Sequence, residues 1–224
     1  MRQLARRNGR LYGDCVLMDL FDASAERVLP VADAELVLWQ DVDFGDEKAL
    51  LKQLIEETPW RREQVTVWGK THMQPRLIAW YGDDAQSYSY SGITLSALPW
   101  TPALLRMKEK VETLCQSSFN SVLVNYYRDH RDGMGFHSDD EPELGPAPVI
   151  ASVTIGAARH LVLKHKLRKD LENVKILLPS GSVLLMKGAT QKNWKHGVPK
   201  LTKPCGPRVN LTFRRILDPT ITSP

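Results

Sequence analysis

The sequence predicts a mostly β protein with flanking helices, an α+β fold whose carboxy-terminal half is a β-sandwich or barrel. Two features of the chain predict this. From Ser121 onward the texture is short apolar runs separated by turn residues: Val122–Tyr127, Val149–Ile155, His160–Lys164, Val174–Leu178, Ser182–Met186 and Arg208–Ile216. Runs of that length at that spacing are strands of a closed or two-layered β structure. Upstream, two segments carry helical stripes instead.

The first helix is expected over residues 46–57. Asp46 is placed to cap it, and Leu50, Leu51, Leu54 and Ile55 form one stripe. The second begins at Thr101-Pro102, a capping residue followed by proline at the first helical position, with Leu104, Leu105, Val111, Leu114 and Cys115 toward the core. Between them, residues 64–95 are rich in Val, Thr, Trp, Tyr and Ile with Gly and Asp turns, which suggests strands and hairpins. The first forty residues mix short apolar patches with acids and turn residues, and are expected to be irregular before a single strand.

At 224 residues, 42% of them hydrophobic, the chain is long enough to bury a core without staples. Its formal charge of +4 is unevenly spread. Residues 1–57 hold 12 acidic and 7 basic side chains, whereas residues 159–203 hold 11 basic and 2 acidic. Such asymmetry suits a polyanion on one face; solvated lysines on loops are the alternative. Cys15, Cys115 and Cys205 are odd in number and widely spaced, so neither a disulfide framework nor a zinc knuckle is implied. No apolar run reaches ~18 residues and no signal peptide is visible, so an intracellular protein with no membrane association is expected.

The most informative stretch is Gly135-Phe136-His137-Ser138-Asp139-Asp140-Glu141. His137 and Asp139 are two apart, so on extended backbone both point to one face and offer a metal adjacent ligands. His196, 57 residues after Asp139, is the natural third ligand. Two histidines and a carboxylate form the facial triad of iron(II) enzymes, and zinc accepts the same set.

On a strand, Arg208, Asn210, Thr212 and Arg214 share one face while Val209, Leu211 and Phe213 share the other. Two inward arginines are costly unless an anion meets them. A dicarboxylate fits, because a guanidinium clamps a carboxylate through two parallel hydrogen bonds. An edge strand with a solvated polar face is the alternative. Asn125 and Tyr127 fall on one face of the strand preceding the His-x-Asp loop, for the same ligand or for core filling.

Taken in order, Asn-x-Tyr, His-x-Asp, a distal His and Arg-x5-Arg closely resemble the AlkB family of iron(II)/2-oxoglutarate dioxygenases, most strongly its branch that repairs alkylated DNA. The segments Pro148-Val149-Ile150-Ala151-Ser152-Val153 and Pro207-Arg208-Val209-Asn210-Leu211-Thr212-Phe213-Arg214 carry the same likeness, which runs from about Trp60 to Leu217. The resemblance implies a double-stranded β-helix, or jelly roll. It implies an extension over residues 1–34 and a dioxygenase domain over 35–224, with nucleotide-recognition hairpins at about 60–100 and the jelly-roll core at about 119–217. It makes His137, Asp139 and His196 ligands of Fe(II). Asn125, Tyr127, Arg208, Asn210, Thr212 and Arg214 would hold 2-oxoglutarate, Arg208 taking its far carboxylate. With O2 the reaction is oxidative: the alkyl carbon is hydroxylated, the unstable hemiaminal releases an aldehyde, and the base is restored.

The substrate implied is alkylated DNA, single- or double-stranded, carrying 1-methyladenine or 3-methylcytosine type lesions, bound by a monomer. RNA, or a protein or metabolite, is the alternative. A base inside a duplex must leave the stack to reach an iron centre. Tyr88 and Tyr90 are expected as the stacking platform, with Tyr90 sandwiching the base against His137. Asp140 and Glu141 would meet the exocyclic amine or cationic ring. Trp68, Gly69 and Lys70 resemble the hairpin that duplex-acting members push into the vacated stack, where an apolar wedge can unstack a base step; Trp68 departs from the smaller wedge of the pattern and could instead be core. Lys164, His165, Lys166, Arg168 and Lys169, with Lys192, Lys195, Lys200 and Lys203, suit phosphate contacts.

Overall fold

The computed structural model describes residues 25–67, 70–83, 87–90 and 93–217. It opens with two strands, β1 (Arg27–Leu29) and β2 (Glu35–Trp39), where the sequence suggests one. Helix α1 (Glu47–Glu57) follows, then β3 (Gln64–Val67), β4 (Lys70–Met73), β5 (Leu77–Gly82), β6 (Ser87–Tyr90) and β7 (Ile93–Ser96). Helix α2 (Pro102–Cys115) leads into β8 (Ser121–Tyr127) and β9 (Met134–His137). After a 3₁₀ turn at Pro142–Leu144 come β10 (Ile150–Gly156), β11 (Arg159–His165), β12 (Val174–Leu178) and β13 (Ser182–Lys187). The one-turn helix α3 (Thr190–Asn193), β14 (Trp194–Val198) and β15 (Arg208–Arg214) complete the described chain.

The helix ends follow the sequence chemistry. Asp46 Oδ1 accepts from the backbone N–H of Lys48 (2.9 Å) and Ala49 (3.0 Å), which satisfies two of the orphan donors of the first turn. Thr101 Oγ1 accepts from Leu104 N, and α2 stops at Gln116 in the left-handed region.

Eleven of the strands form two antiparallel sheets. The larger runs β1-β2-β13-β10-β15-β8-β5 and the smaller β12-β11-β14-β9, which is the jelly-roll expectation met. Two separate hairpins, β3-β4 and β6-β7, stand in the predicted hairpin region.

The larger sheet is buried on both faces. Against one face pack α1 and α2, through Leu50, Leu54, Leu104, Met107 and Val111 onto Val122, Val124, Val209, Leu211 and Phe213. The other face looks into the roll, where Leu36, Ile150, Leu161, Leu163, Leu184 and Trp194 form a second core. Burial on both sides explains why β8 is apolar almost throughout and does not alternate. Each large side chain so buried contributes about 1.5–3 kcal/mol.

Leu104, 2% exposed beneath the sheet, is expected to cost ~2–5 kcal/mol on change to Ala. Asp46→Ala is expected to cost ~1 kcal/mol through loss of the cap. Urea unfolding midpoints check both, and equal losses would contradict the assignment of one to packing and the other to capping.

Candidate metal centre

The smaller sheet aims two imidazoles at one point by means of an irregularity. On β14 His196 pairs with His137 and Val198 with Met134, so two residues, Gly135 and Phe136, face the single Gly197. Met134 and His137 are three apart and would point to opposite faces of a regular strand. The bulge turns both inward. Close approach of the two backbones demands glycine here: a Cβ on Gly197 would lie 2.9 Å from the Met134 carbonyl oxygen, and one on Gly133 would lie 2.8 Å from that of Val198. His137 Nδ1 is 3.0 Å from the Gly135 carbonyl oxygen. A proton on Nδ1 donated there leaves Nε2 as the ligand nitrogen.

Asp139 follows in the loop after β9 and is wholly buried. Its backbone N–H donates to Gln191 Oε1 on α3 (3.0 Å), and the neighbouring Ser138 hydroxyl donates to the Trp194 carbonyl (3.1 Å). His137 Nε2 stands 3.6 Å from Asp139 Oδ1, and His196 Nε2 stands 3.9 Å from Asp139 Oδ2. One ligand atom from each of the three lies within 4.8 Å of the others. Asp139 Oδ1 accepts from Arg214 Nη2 at 2.8 Å, whereas Oδ2 is buried with no hydrogen-bond partner. A buried carboxylate oxygen facing an imidazole nitrogen without a donor is costly by itself and is the environment a divalent cation relieves. The residues present therefore fit a metal ion.

Electrostatics prepare the same state. Burial pushes the Asp139 carboxyl up, but Arg214 and the two imidazoles outweigh it and hold it at about 2. Burial lowers His196 to about 3, helped by His137, and burial likewise lowers His137. An ionised carboxylate beside two neutral imidazoles is the protonation a metal requires.

Beside this triad β15 turns its polar face inward. Arg208, Asn210, Thr212 and Arg214 are all buried, while Val209, Leu211 and Phe213 lie under the helices. Register sets Arg208 opposite Tyr127 and Asn210 opposite Asn125. Arg208 Nη2 donates to Thr154 Oγ1 (2.9 Å), its Nε and Nη1 have no hydrogen-bond partner, and its guanidinium carbon lies 5.0 Å from the centre of the Tyr127 ring. Burial lowers Arg208 to about 10, partly offset by Tyr127, so it remains a cation at neutral pH. No carboxylate pairs with it among the described residues. Asn210 Nδ2 donates to Ser152 Oγ and to the Val153 carbonyl, both at 2.8 Å, which ties β15 to β10. Thr212 Oγ1 is 3.5 Å from Asn210 Oδ1.

Two residues at this site, Arg76 and Gln191, gave no motif, and a third, Lys166, belongs to the basic tract expected to meet phosphates. Arg76, 4% exposed, donates from Nε to Asn125 Oδ1 at 2.7 Å; a cation at the head of the apolar run Leu77–Gly82 was its signal. Gln191 lies on a single helical turn with no periodicity to reveal it. Lys166 Nζ bonds Asp140 Oδ2 (2.9 Å) and the Gln191 carbonyl (2.8 Å), so Asp140 stands paired and more than half exposed at the rim. Glu141 starts the 3₁₀ turn. Tyr88 and Tyr90 lie on β6 opposite Leu95 and Ile93, and Lys70 is opposite Val67 in the β3-β4 hairpin. Trp68 and Gly69 fall outside the described residues. The basic tract divides: His165 is buried, edge-on to Trp194, and its Nδ1 accepts from Leu167 and Arg168 N–H, while Arg168 pairs with Asp33 and Asp170. His165 is thus a loop brace; side-chain spacing alone did not separate it from its cationic neighbours.

Among the described residues no helix is long and apolar enough to cross a membrane. The family profile of the 2OG-Fe(II) oxygenase superfamily matches residues 45–214. The chain is 43% identical over 183 residues to mouse alpha-ketoglutarate-dependent dioxygenase alkB homolog 3, covering 78% of this chain and 63% of that one. It is 42% identical over 173 residues to mouse DNA oxidative demethylase ALKBH2, covering 75% and 72%. It therefore spans less than two thirds of the alkB homolog 3 proteins it matches. The solved structure of OsALKBH1 superposes with a TM-score of 0.59 at 16% identity, over 85% of this chain and 100% of that one, a likeness of fold. With a profile match over most of its length and these relatives beside it, the chain belongs to the 2OG-Fe(II) oxygenase superfamily, in its AlkB branch.

Proposed function

We propose that this chain removes alkyl groups from damaged bases in DNA by oxidation, using Fe(II), 2-oxoglutarate and O2. The observation that carries the proposal is the pairing, inside one roll, of an ionised Asp139 between two neutral imidazoles with a fully buried Arg208 that has donors to spare. Relatives named as DNA oxidative demethylases, at 42–44% identity, support the choice of substrate. Succinate and formaldehyde release from oligonucleotides carrying 1-methyladenine or 3-methylcytosine, DNA against RNA, tests it. Absence of turnover on every such oligonucleotide would remove it.

In this reading His137, Asp139 and His196 hold the iron, which with the keto acid and O2 supplies oxidation of an unactivated C–H bond. Arg208 takes the far carboxylate through Nε and Nη1, and Tyr127 and Asn125 border the same ligand. Arg214 and Arg76 keep the interior cationic, Arg214 by fixing Asp139 through its Oδ1 and Arg76 by holding Asn125. Asn210 and Thr212 complete the polar wall. Tyr88, Tyr90, Asp140 and Glu141 receive the extracted base, and Trp68, Gly69 and Lys70 occupy the step it leaves.

Three outcomes follow from these roles. Arg208→Ala is expected to raise the KM for 2-oxoglutarate by roughly tenfold or more, the loss of a charge-assisted pair, with the KM for the oligonucleotide unchanged. Gln191→Ala removes the acceptor that fixes the Asp139 backbone and should weaken metal binding by roughly 10- to 100-fold in a cobalt titration; undiminished affinity would make Gln191 a packing residue. The third concerns pH. His196 is held at about 3 in the folded chain and reverts to ~6.5 when unfolded. Between those values the unfolded state binds the extra proton, so stability rises with pH across that window and is lost as pH falls below ~6.5. The melting temperature of metal-free protein should therefore drop between about pH 7 and pH 5, and His196→Gln should flatten that slope.

A further inference from the structure

The outward face of the smaller sheet carries side chains that the metal centre does not use. Alternation turns Leu161, Leu163, Ile176 and His196 inward, which leaves His160 and Lys164 of β11, Lys175 and Leu177 of β12 and Lys195 of β14 exposed. Register places Lys164 directly opposite Lys195, and Val162 opposite both Lys175 and Gly197. On the fourth strand the bulge sets out Phe136, 48% exposed and next in sequence to the ligand His137. None of the four strands contains an Asp or Glu. Lys164, Lys175 and Lys195 make no ion pair among the described residues, although the nearby Lys166 and Arg168 both do.

Like charges directly opposite on an antiparallel pair destabilise it, and a half-exposed phenylalanine adds a further cost. Both costs vanish against a polyanion with flat apolar faces. We propose that this sheet face binds a single strand of nucleic acid flanking the target base, Lys164, Lys175 and Lys195 meeting phosphates and Phe136 stacking on a base. The inference rests on the dealkylase reading for its ligand, and it extends the site from the lesion to its neighbours. Strands about 4.8 Å apart give a track of roughly 14 Å from β12 to β9, close to four stacked nucleotides at ~3.4 Å each. The track ends beside the metal ligand. A second copy of this chain packed face to face would bring the same three lysines against them, so charge disfavours self-association here.

The test is binding of fluorescently labelled single-stranded DNA across a salt series, with one oligonucleotide long enough to cross the face and one only a few nucleotides long, both bearing 3-methylcytosine. For the long one, the double variant Lys164→Gln/Lys195→Gln should reduce the slope of log K against log salt by about 1.4, from ~0.7 per phosphate contact on single strands. Lys164→Gln/Lys175→Gln, which leaves the strand of His196 untouched, should do the same. Phe136→Ala should weaken binding of the long strand by roughly 5- to 150-fold. Turnover of the short oligonucleotide should be unchanged in all three. An unchanged salt slope, equal loss on short and long strands, an altered oligomeric state of the variants, or loss of binding to anionic phospholipid vesicles alone would each overturn the proposal. Binding that follows the expected pattern without turnover of any lesion would instead sink the dealkylase reading and leave the face standing.

Discussion

A negative charge buried at the centre of the roll organises this protein. Asp139 has no exposed surface, and an isolated carboxylate moved out of water would be neutralised by protonation. It stays ionised because Arg214 touches one oxygen and two imidazoles face it. Those imidazoles are themselves desolvated and neutral, so of the three partners only Arg214 carries a permanent charge. The arrangement is balanced when a divalent ion joins it, and the second inward guanidinium, Arg208, is balanced when an anion does. Metal and keto acid thus complete a charge pattern that the bare chain leaves unfinished.

The sheets exist in the form they do because that pattern has to be held away from solvent. β15 passes through the middle of the larger sheet, its apolar residues under the helices and its polar residues inside. This arrangement of a strand of alternating Val-Asn-Leu-Thr-Phe buries both faces and still pairs polar groups inside: Asn210 with Ser152, Arg208 with Thr154, Arg214 with Asp139. The helices therefore matter to the chemistry, because without them the apolar side of β15 would be exposed and the inward direction of its arginines would not be fixed.

Much of this was legible in the chain. Both helices begin at the capping residues expected of them, and six of the predicted apolar runs became strands with ends moved by no more than two residues. The three residues proposed as ligands converge. Other parts left no periodic trace. β9 is four residues long and bulged, and β14 has a Lys-His-Gly centre, so neither shows an apolar run. Gln191 and Arg76 reach the site through hydrogen bonds made across 52 and 49 residues of sequence; nothing local encodes such contacts. The basic tract was misleading in a specific way, since a string of cations in sequence includes a buried brace, His165, and two side chains already neutralised by acids from other segments.

That sorting of the basic tract bears on the proposed contact with a long polymer. Phosphate contacts position a strand without reading it, and their strength depends on cations that are not already paired. Lys166 is held by Asp140 and by the Gln191 carbonyl, so its charge is directed to the loop that carries the metal ligand. Lys164, two residues earlier and exposed on the outward face of β11, makes no ion pair among the described residues. β11 and the turn that follows it thereby separate two uses of the same kind of side chain: in the turn, positive charge that steadies the loop carrying Asp139; on the outward face of the strand, positive charge available to a backbone of phosphates. The end of the strand divides them: past His165 the Lys166 N–H donates to the Asn193 carbonyl, while β11 itself turns Leu161 and Leu163 into the roll and Lys164 outward, so that one sheet walls the chamber on one side and carries the lysines on the other.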